Sequence, residues 1–350
     1  MAPDRPSDPP ASKDGPPVPA DGSPSPVDGP PAPDDGPSSP VRLSGTSWWA
    51  ALRRTVAEFQ KDNLTDLAAA LTYYSVLSIF PGVLVLVSLL GLLGKQTTDD
   101  VQGTIRDVVP QPEIQQILDG AINQVRENSG TASLAAILGL LTAFWSASGY
   151  IGAFMRASNA IYDVPEGRPI WKTLPIRLAV TAVIGVMLLA SALIVVFTGR
   201  LAEVAGNVLG IGGAAVTVWD IAKWPVLLLL VTLMFAILYW ASPNARQGGF
   251  RWITPGGLVA VVVWLLASGG LALYVVNFNS YNKTYGTLAA VIVFLVWLWL
   301  TNVAILVGAE LNAELERGRA IAAGYPVDKE PYLELRDDRT LRKAARPPNE

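Results

Sequence analysis

The chain has 350 residues, of which 51% are hydrophobic, and a formal net charge of -3. It contains no cysteine and no histidine, which excludes Cys/His zinc sites, Ser-His-Asp triads and cysteine nucleophiles. Basic residues are spread over loops rather than gathered into a stripe, so no nucleic-acid partner is predicted. We also predict no cofactor and no metal, although a site made only of carboxylates stays open. A mean hydropathy of +0.37 is typical of a polytopic membrane protein.

The first 45 residues differ sharply in composition from the rest of the chain. Residues 1–45 hold 14 of the 27 prolines, mixed with Asp, Ser and Gly, and almost no large apolar side chains. Such a segment buries too little surface to offset its ordering entropy, so a disordered tail is predicted. A role as a proline-rich ligand is the alternative.

Residues 46–62 change to helical spacing, with Trp48, Leu52, Val56 and Phe59 on one face and basic residues on the other. Trp on the apolar face opposite Arg and Lys is typical of a helix that lies in the membrane surface. A helix packed on the cytoplasmic end of a bundle is the alternative.

Six apolar stretches follow, each near the length that a bilayer requires. They form a predicted transmembrane domain over residues 63–318, with spans at 67–94, 132–155, 176–198, 219–240, 254–277 and 287–311. Lys and Arg are concentrated before the first span, in alternate loops and in a charged tail at 319–350, so both termini are predicted to be cytoplasmic. The predicted fold class is an all-α polytopic membrane protein with six transmembrane helices.

The first outer loop has a helical pattern of its own. After Pro112, apolar residues recur at intervals of three and four from Ile114 to Val125, opposite acidic and amide residues. This predicts an amphipathic extracytoplasmic helix that caps the bundle or lies on the outer interface. Binding of a partner protein is the alternative.

Polar side chains are unusually frequent in the first span. Asp66 and Tyr73 share one helical face, Tyr74 and Ser75 lie beside it, and Pro81 should kink the helix near its middle. A kinked polar helix is a candidate wall of a transport pathway. Alternatively, the hydroxyl groups bond their own backbone and the tyrosines simply pack.

The end of the second span carries Arg156 and Asn159 on the side where Asp66 is also expected. An ion pair between Arg156 and Asp66 is a hypothesis, because each charge would lower the other's cost of desolvation.

The last span begins after a polar, aromatic hinge that contains Tyr281, Tyr285 and Gly286, and it carries Asn302 and Glu310. Polar groups inside a membrane are costly and usually face the bundle interior. We therefore count these residues as candidates for a pathway or a polar interior. Glu310 stands at the membrane edge, where it is a proton or cation ligand, a partner for a basic loop residue, or a solvated group.

Four motifs stand out along the chain: LAAALTYYSVLSIFPGVLVLVSLLG from Leu67, FWSASGYIGAFMRASNAIYDV from Phe144, YWASPNARQGGFRWITPGGLVAVVVW from Tyr239 and SYNKTYGTLAAVIVFLVWLWLTNVAILVGAELNAELE from Ser280. They resemble the motifs of the YihY/BrkB family of bacterial inner-membrane proteins. The resemblance covers roughly residues 50–318 in order, and the polar tails fall outside it.

The resemblance implies a multi-pass protein of the bacterial inner membrane with six helices and cytoplasmic ends. Family names refer to a serum-resistance virulence factor and to an old ribonuclease BN label. The latter conflicts with a chain that lacks histidine, cysteine and a basic groove. A transporter that moves a lipid, a small solute or an ion through the bilayer is the function expected. A non-transporting factor for envelope integrity or serum resistance is the alternative, an enzyme is not expected, and a homo-oligomer stays open.

Overall fold

The described part of the protein consists of helices, most of which pack against the next helix in the chain. The computed structural model describes residues 36–92, 132–196, 213–277 and 287–345, together with Pro30 and Gly120. The helices of these segments are α1 Gly45–Lys61, α2 Leu64–Leu92, α3 Ala132–Ile161, α4 Ile170–Val196, α5 Gly213–Ala241, α6 Phe250–Asn277, α7 Thr287–Ala322 and α8 Arg339–Ala344. No strand occurs in these segments, which contain one isolated β-bridge between Ala245 and Leu335.

The long helices carry the apolar runs that the sequence analysis assigned to the membrane. Four of them are long and apolar enough to cross a bilayer: Ile170–Val195, Val218–Ala241, Arg251–Asn277 and Leu288–Ala322. Only 11–28% of the residues in their most apolar windows are buried inside the protein, so most of this apolar surface faces outward, as a surrounding bilayer requires. The first two of the six predicted spans lie in α2 and α3, and they stay predictions, as do the cytoplasmic termini. The predicted outer-loop helix and the N-terminal tail to residue 29 lie outside the described residues.

The helices form a closed ring. Each of α2 to α6 packs against the next helix in the chain, and α7 closes the ring by packing on both α6 and α2. Helix α1 lies outside this ring and packs mainly along α7. Helix α7 therefore packs against α1 as well as against its two neighbours in the ring, α2 and α6. At 36 residues it is the longest of the described helices.

Helices α6 and α7 approach each other through two glycines. A Cβ atom on Gly256 would stand 2.0 Å from the carbonyl oxygen of Gly308, and one on Gly308 would stand 2.4 Å from the carbonyl oxygen of Gly256. The amide of Gly256 donates to Asn312 Oδ1 at 2.8 Å, one turn further along α7. Small residues let helix backbones meet at such a distance, and the polar contact fixes their register.

One end of the bundle is polar, and we call it the base. It consists of α1 and residues 162–169, 242–249 and 323–337, arranged around residues 304–322 of α7. Backbone bonds join these segments: Arg246 donates to Glu334 O at 2.8 Å and Arg336 donates to Asn244 O at 2.9 Å. Part of the segment that the sequence assigns to a charged tail is therefore packed, and Tyr332 and Leu333 within it are fully buried.

Helix α1 packs against the bundle through its small residues and leaves part of its apolar face exposed. Ala51 and Thr55 are buried, and Trp48 donates through its indole nitrogen to Pro40 O at 2.9 Å. Leu52 and Val56 are 40% and 74% exposed. Helix α1 thus packs on α7 and leaves apolar side chains exposed, and both roles left open by the sequence stay predictions.

Replacement of Gly256 by alanine should strongly destabilise the protein, since the added methyl group cannot fit against the α7 backbone. Separation of the two helices would also break the bond from Gly256 to Asn312. We expect a loss of about 2–4 kcal/mol from overpacking and one buried hydrogen bond. Thermal unfolding of the purified protein in detergent measures this loss.

Gly257→Ala is the matched control, because a Cβ atom there meets its nearest neighbours at an ordinary 3.8 Å. The control should unfold near the wild-type temperature. Equal melting temperatures for the two variants would show that the α6–α7 approach does not depend on Gly256.

Candidate functional site

The second half of α7 is buried on every side. From Gly308 to Ala320 every residue is buried. A helix at a protein surface normally keeps one polar face in water, so a helix buried all round is usually apolar. This one instead carries six polar or charged residues: Glu310, Asn312, Glu314, Glu316, Arg317 and Arg319.

Two of the three glutamates on this stretch are paired with arginines. Glu314 accepts from Arg54 Nε of α1 and lies 3.6 Å from Arg317. Glu316 accepts from Arg319 Nε at 2.7 Å and from the amide of Gly248 at 2.6 Å. Burial of a charge is tolerated when a counter-charge and hydrogen bonds replace water, and both carboxylates meet that condition.

Glu310 differs from these two glutamates. Its side chain is 1% exposed, and its Oε2 atom has no hydrogen-bond partner among the described residues. The charged groups that act most strongly on it are other carboxylates, Asp62 first, then Glu314, Glu58 and Asp163. Such a position is costly for an ionised carboxylate, and either a proton or a bound cation would relieve the cost.

Asp62 lies close to Glu310, and its carboxylate is the strongest of the charges that act on Glu310. Two neighbouring carboxylates repel each other when both are ionised, so one proton held by the pair would relieve the repulsion. We call Asp62, Asp163 and Glu310 the carboxyl cluster. Asp62 and Asp163 reach it from the turns after α1 and α3, where Asn63 and Asp163 have a backbone φ of 50°. Asn and Asp tolerate this left-handed conformation better than most other residues.

Both aspartates of the cluster are half-buried and hard to ionise. Burial, followed by the charge of Glu58, raises the pKa of Asp62 to about 6. Burial, followed by the charges of Glu330 and Asp62, raises the pKa of Asp163 to about 6. These two aspartates therefore change their charge closer to neutral pH than an exposed aspartate does.

A second polar group lies two turns along α7 towards its start. Asn302 is 2% exposed; its Oδ1 accepts from the Tyr150 hydroxyl at 3.0 Å, and its Nδ2 donates to Thr72 Oγ1 at 3.1 Å. Eight residues of helix separate Asn302 from Glu310, a rise of about 12 Å. Helices α2, α3 and α7 thus share a polar contact inside the bundle.

A buried network of amide and charged groups joins the loops of the base. Asn159 accepts the amide of Asn244 at 2.7 Å and donates to Glu166 at 2.9 Å. Asn244 also donates to the carbonyl of Asp337 at 2.8 Å, and Arg168 donates to the carbonyl of Ser242 at 2.8 Å. Since buried polar groups must be satisfied, this network holds the loops in one arrangement.

The residues that the sequence proposed for the first span differ in their surroundings. Asp66 is exposed and Tyr73 is 62% exposed, whereas Tyr74 is half-buried and packs against Gly149. Ser75 bonds the carbonyl of its own helix at Leu71 at 2.9 Å, as the packing alternative expects. The side chain of Pro81 lies outside the described residues, as do Tyr281, Tyr285 and Gly286.

Arg156 does not meet Asp66 in the described part of the chain. Its Nη1 instead donates to the carbonyl of Gly152 at 3.1 Å within α3. Of the proposed residues, Asn159, Asn302 and Glu310 are buried and lie in polar contacts, but they belong to separate groups. Whether any of them serves a pathway stays a prediction.

Sequence reasoning missed several members of these groups. Asp62 and Asp163 follow helix ends, where acidic residues are ordinary, and Asn244 and Asp337 lie 93 residues apart. One signal was available: the charges after Glu310 continue a helical pattern well past the length that a bilayer requires. Among the residues described, no group of three or more acidic side chains has the arrangement of a metal site.

Comparisons with known proteins agree on one family. A family profile described as virulence factor BrkB matches residues 55–330. A ribonuclease-like protein of Bacillus subtilis, YfkH, is 29% identical over 76% of this chain and 93% of its own length. UPF0761 membrane proteins of Alteromonas mediterranea and Chromohalobacter salexigens are 28% and 30% identical over 77% of this chain, and over 90% and 64% of their own lengths. No solved structure matches the chain.

The raised pKa values of Asp62 and Asp163 predict that stability falls as pH rises. Between the ordinary value of 3.8 and about 6, the folded protein holds more protons than the unfolded chain, so deprotonation favours unfolding. The double variant Asp62→Asn/Asp163→Asn should therefore melt a few degrees above wild type at pH 7.5. Its melting temperature should also depend less on pH between 4 and 7.5.

Asp66→Asn is the control for this experiment, because that carboxylate is exposed at the start of α2. It should leave the pH profile of the melting temperature unchanged. A double variant with the wild-type profile would show that the two aspartates do not set the pH dependence.

Proposed function

Since the chain belongs to the virulence factor BrkB family of membrane proteins, we propose that it is a transporter that moves a lipid or a small solute across the bilayer. Protonation of Glu310 accompanies each transport cycle. The base faces the cytoplasm, in line with the positive charge of the loops on that side. The name of the Bacillus subtilis relative is its own, and we propose no RNA chemistry for a chain without histidine or cysteine.

The observation that carries this proposal is the absence of a basic partner for Glu310 within the described residues. The chain pairs Glu314 and Glu316 with arginines on the same helix, so arginine partners are available to this part of α7. A purely structural carboxylate would be expected to have one as well. Ionisable groups that are buried in a membrane protein and lack a fixed basic partner are typical of proton relays and coupling sites.

The position of the carboxyl cluster supports coupling to movement of a cargo. The cluster joins the turn after α1, the turn after α3 and α7, so loss of a proton from it would set like charges against one another at a junction of three elements. Such repulsion would push the packed helices apart. Helix packing tends to have two discrete arrangements, so a local change in charge can switch the protein from one conformation to the other.

The chain can also supply polar contacts further into the bundle. Asn302 bonds both Tyr150 and Thr72, and the hydroxyl and amide groups of these side chains can exchange partners with a polar cargo. Few charges lie near this point, which suits a lipid or a weakly hydrated solute better than a strongly hydrated ion.

Transport by the purified protein in vesicles tests this proposal. We would follow a fluorescent phospholipid and, separately, a monovalent cation under an imposed pH gradient. Wild type should move one of them faster in the presence of the gradient. Glu310→Gln should lose this acceleration by about 5-fold or more, the lower end of typical coupling between two sites.

Glu334→Gln is the matched control, since Glu334 lies in the base but is partly exposed and pairs with the exposed Arg246. It should transport like wild type. If folded wild type moves neither cargo, the non-transporting envelope factor is the better account. If it moves a cargo and Glu310→Gln keeps the full response to the gradient, Glu310 is not the coupling group.

A further inference from the structure

We propose that Arg156 and Arg177 form a binding site for the phosphate of an anionic phospholipid, at the outer edge of the bundle between α3 and α4. The site is separate from the carboxyl cluster, which lies at α1 and α7. Binding there does not depend on whether the protein transports anything.

The guanidinium groups of Arg156 and Arg177 both lie beside one glycine of α3, Gly152. Arg156 Nη1 donates to the carbonyl of Gly152 at 3.1 Å. Arg177 Nη1 lies 3.2 Å from the position that a Cβ atom on Gly152 would take, so the absence of a side chain there leaves room for the arginine. Two like charges are therefore held beside the same residue of α3.

Neither arginine has an acidic partner among the described residues. By contrast, Arg54, Arg168, Arg317 and Arg319 each lie within 4.0 Å of a carboxylate. Arg177 is held by neutral contacts: Nη2 donates to Ser148 Oγ at 2.7 Å, and its guanidinium lies 5.6 Å from the centre of the Trp145 ring. Its Nε atom is buried and has no hydrogen-bond partner in the described part of the protein.

This arrangement fits an anion with several acceptor oxygens. An anion that contacts both guanidinium groups would be attracted by each of them, and it would offset the repulsion between the two like charges. Guanidinium groups bind phosphate through charge-assisted hydrogen bonds, which are shorter and stronger than neutral ones.

The surroundings indicate that the anion comes from the bilayer. Arg177 lies seven residues into the apolar span that begins at Ile170, about 10 Å along the helix axis. Trp145 is 61% exposed, and Ile170 and Trp171 at the start of the span are 74% and 70% exposed. Exposed tryptophans mark the level of lipid headgroups, and a ligand at this level has its acyl chains beside the apolar faces of α3 and α4.

Lipid binding by the full chain, purified in a neutral detergent, tests this site. Native mass spectrometry would count bound lipids, and the melting temperature would report their affinity. Phosphatidylglycerol should bind and raise the melting temperature, phosphatidylcholine should do so much less, and inorganic phosphate at millimolar concentration should not compete. Arg156→Gln should weaken binding of phosphatidylglycerol about tenfold, and Arg156→Lys should weaken it less.

Arg156 is the preferred position for substitution because it is exposed, so its loss should not prevent folding. Arg251→Gln is the matched control, since Arg251 is another exposed arginine at the start of a span. It should bind phosphatidylglycerol like wild type. The site is refuted if Arg251→Gln weakens binding as much as Arg156→Gln, which would indicate diffuse attraction to charge. Equal binding of phosphatidylcholine, or displacement of the lipid by inorganic phosphate, would also overturn it.

Discussion

The burial of α7 on every side from Gly308 to Ala320 is the constraint on which the rest of the structure depends. This stretch carries charges, and charges removed from water must be paired or neutralised within the protein. Helix α1 supplies Arg54 to Glu314, and the loop after α5 supplies the amide of Gly248 to Glu316. The base is therefore assembled from distant parts of the chain because α7 needs partners from all of them, and Glu310 stands out as the carboxyl group for which the described residues supply no cation.

The bundle combines two kinds of packing that suit two solvents. In the apolar part, helices expose most of their large side chains and meet through small residues, as Gly256 and Gly308 do, because lipid competes equally well for apolar surface. In the base, water would compete for every polar group, so the segments are held by networks of hydrogen bonds such as that of Asn159 and Asn244. The carboxyl cluster lies where the two regions meet, so a proton that it takes up from water can change how the helices pack.

Much of the fold could be predicted from the sequence, because a bilayer demands long apolar runs. The predicted span 254–277 corresponds to α6 at Phe250–Asn277, and Glu310 was recognised as a costly group. The acidic surroundings of Glu310 were not predicted, because Asp62 and Asp163 lie in turns, where the sequence has no periodic pattern. The packing of Tyr332 and Leu333 was missed for a related reason: their segment reads as a charged tail, and its partners lie about 90 residues earlier. Local patterns identify elements, whereas contacts between distant polar residues depend on the assembled fold.

The central claim is that Asp62 and Glu310 share a proton in the folded protein. Infrared difference spectroscopy of the purified protein, titrated between pH 5 and 9, tests this directly through the carbonyl stretch of a protonated carboxyl group. We expect a protonated-carboxyl band at neutral pH that disappears in Glu310→Gln and shifts in Asp62→Asn. A band that is absent from wild type at neutral pH, or that persists unchanged in both variants, would contradict the account.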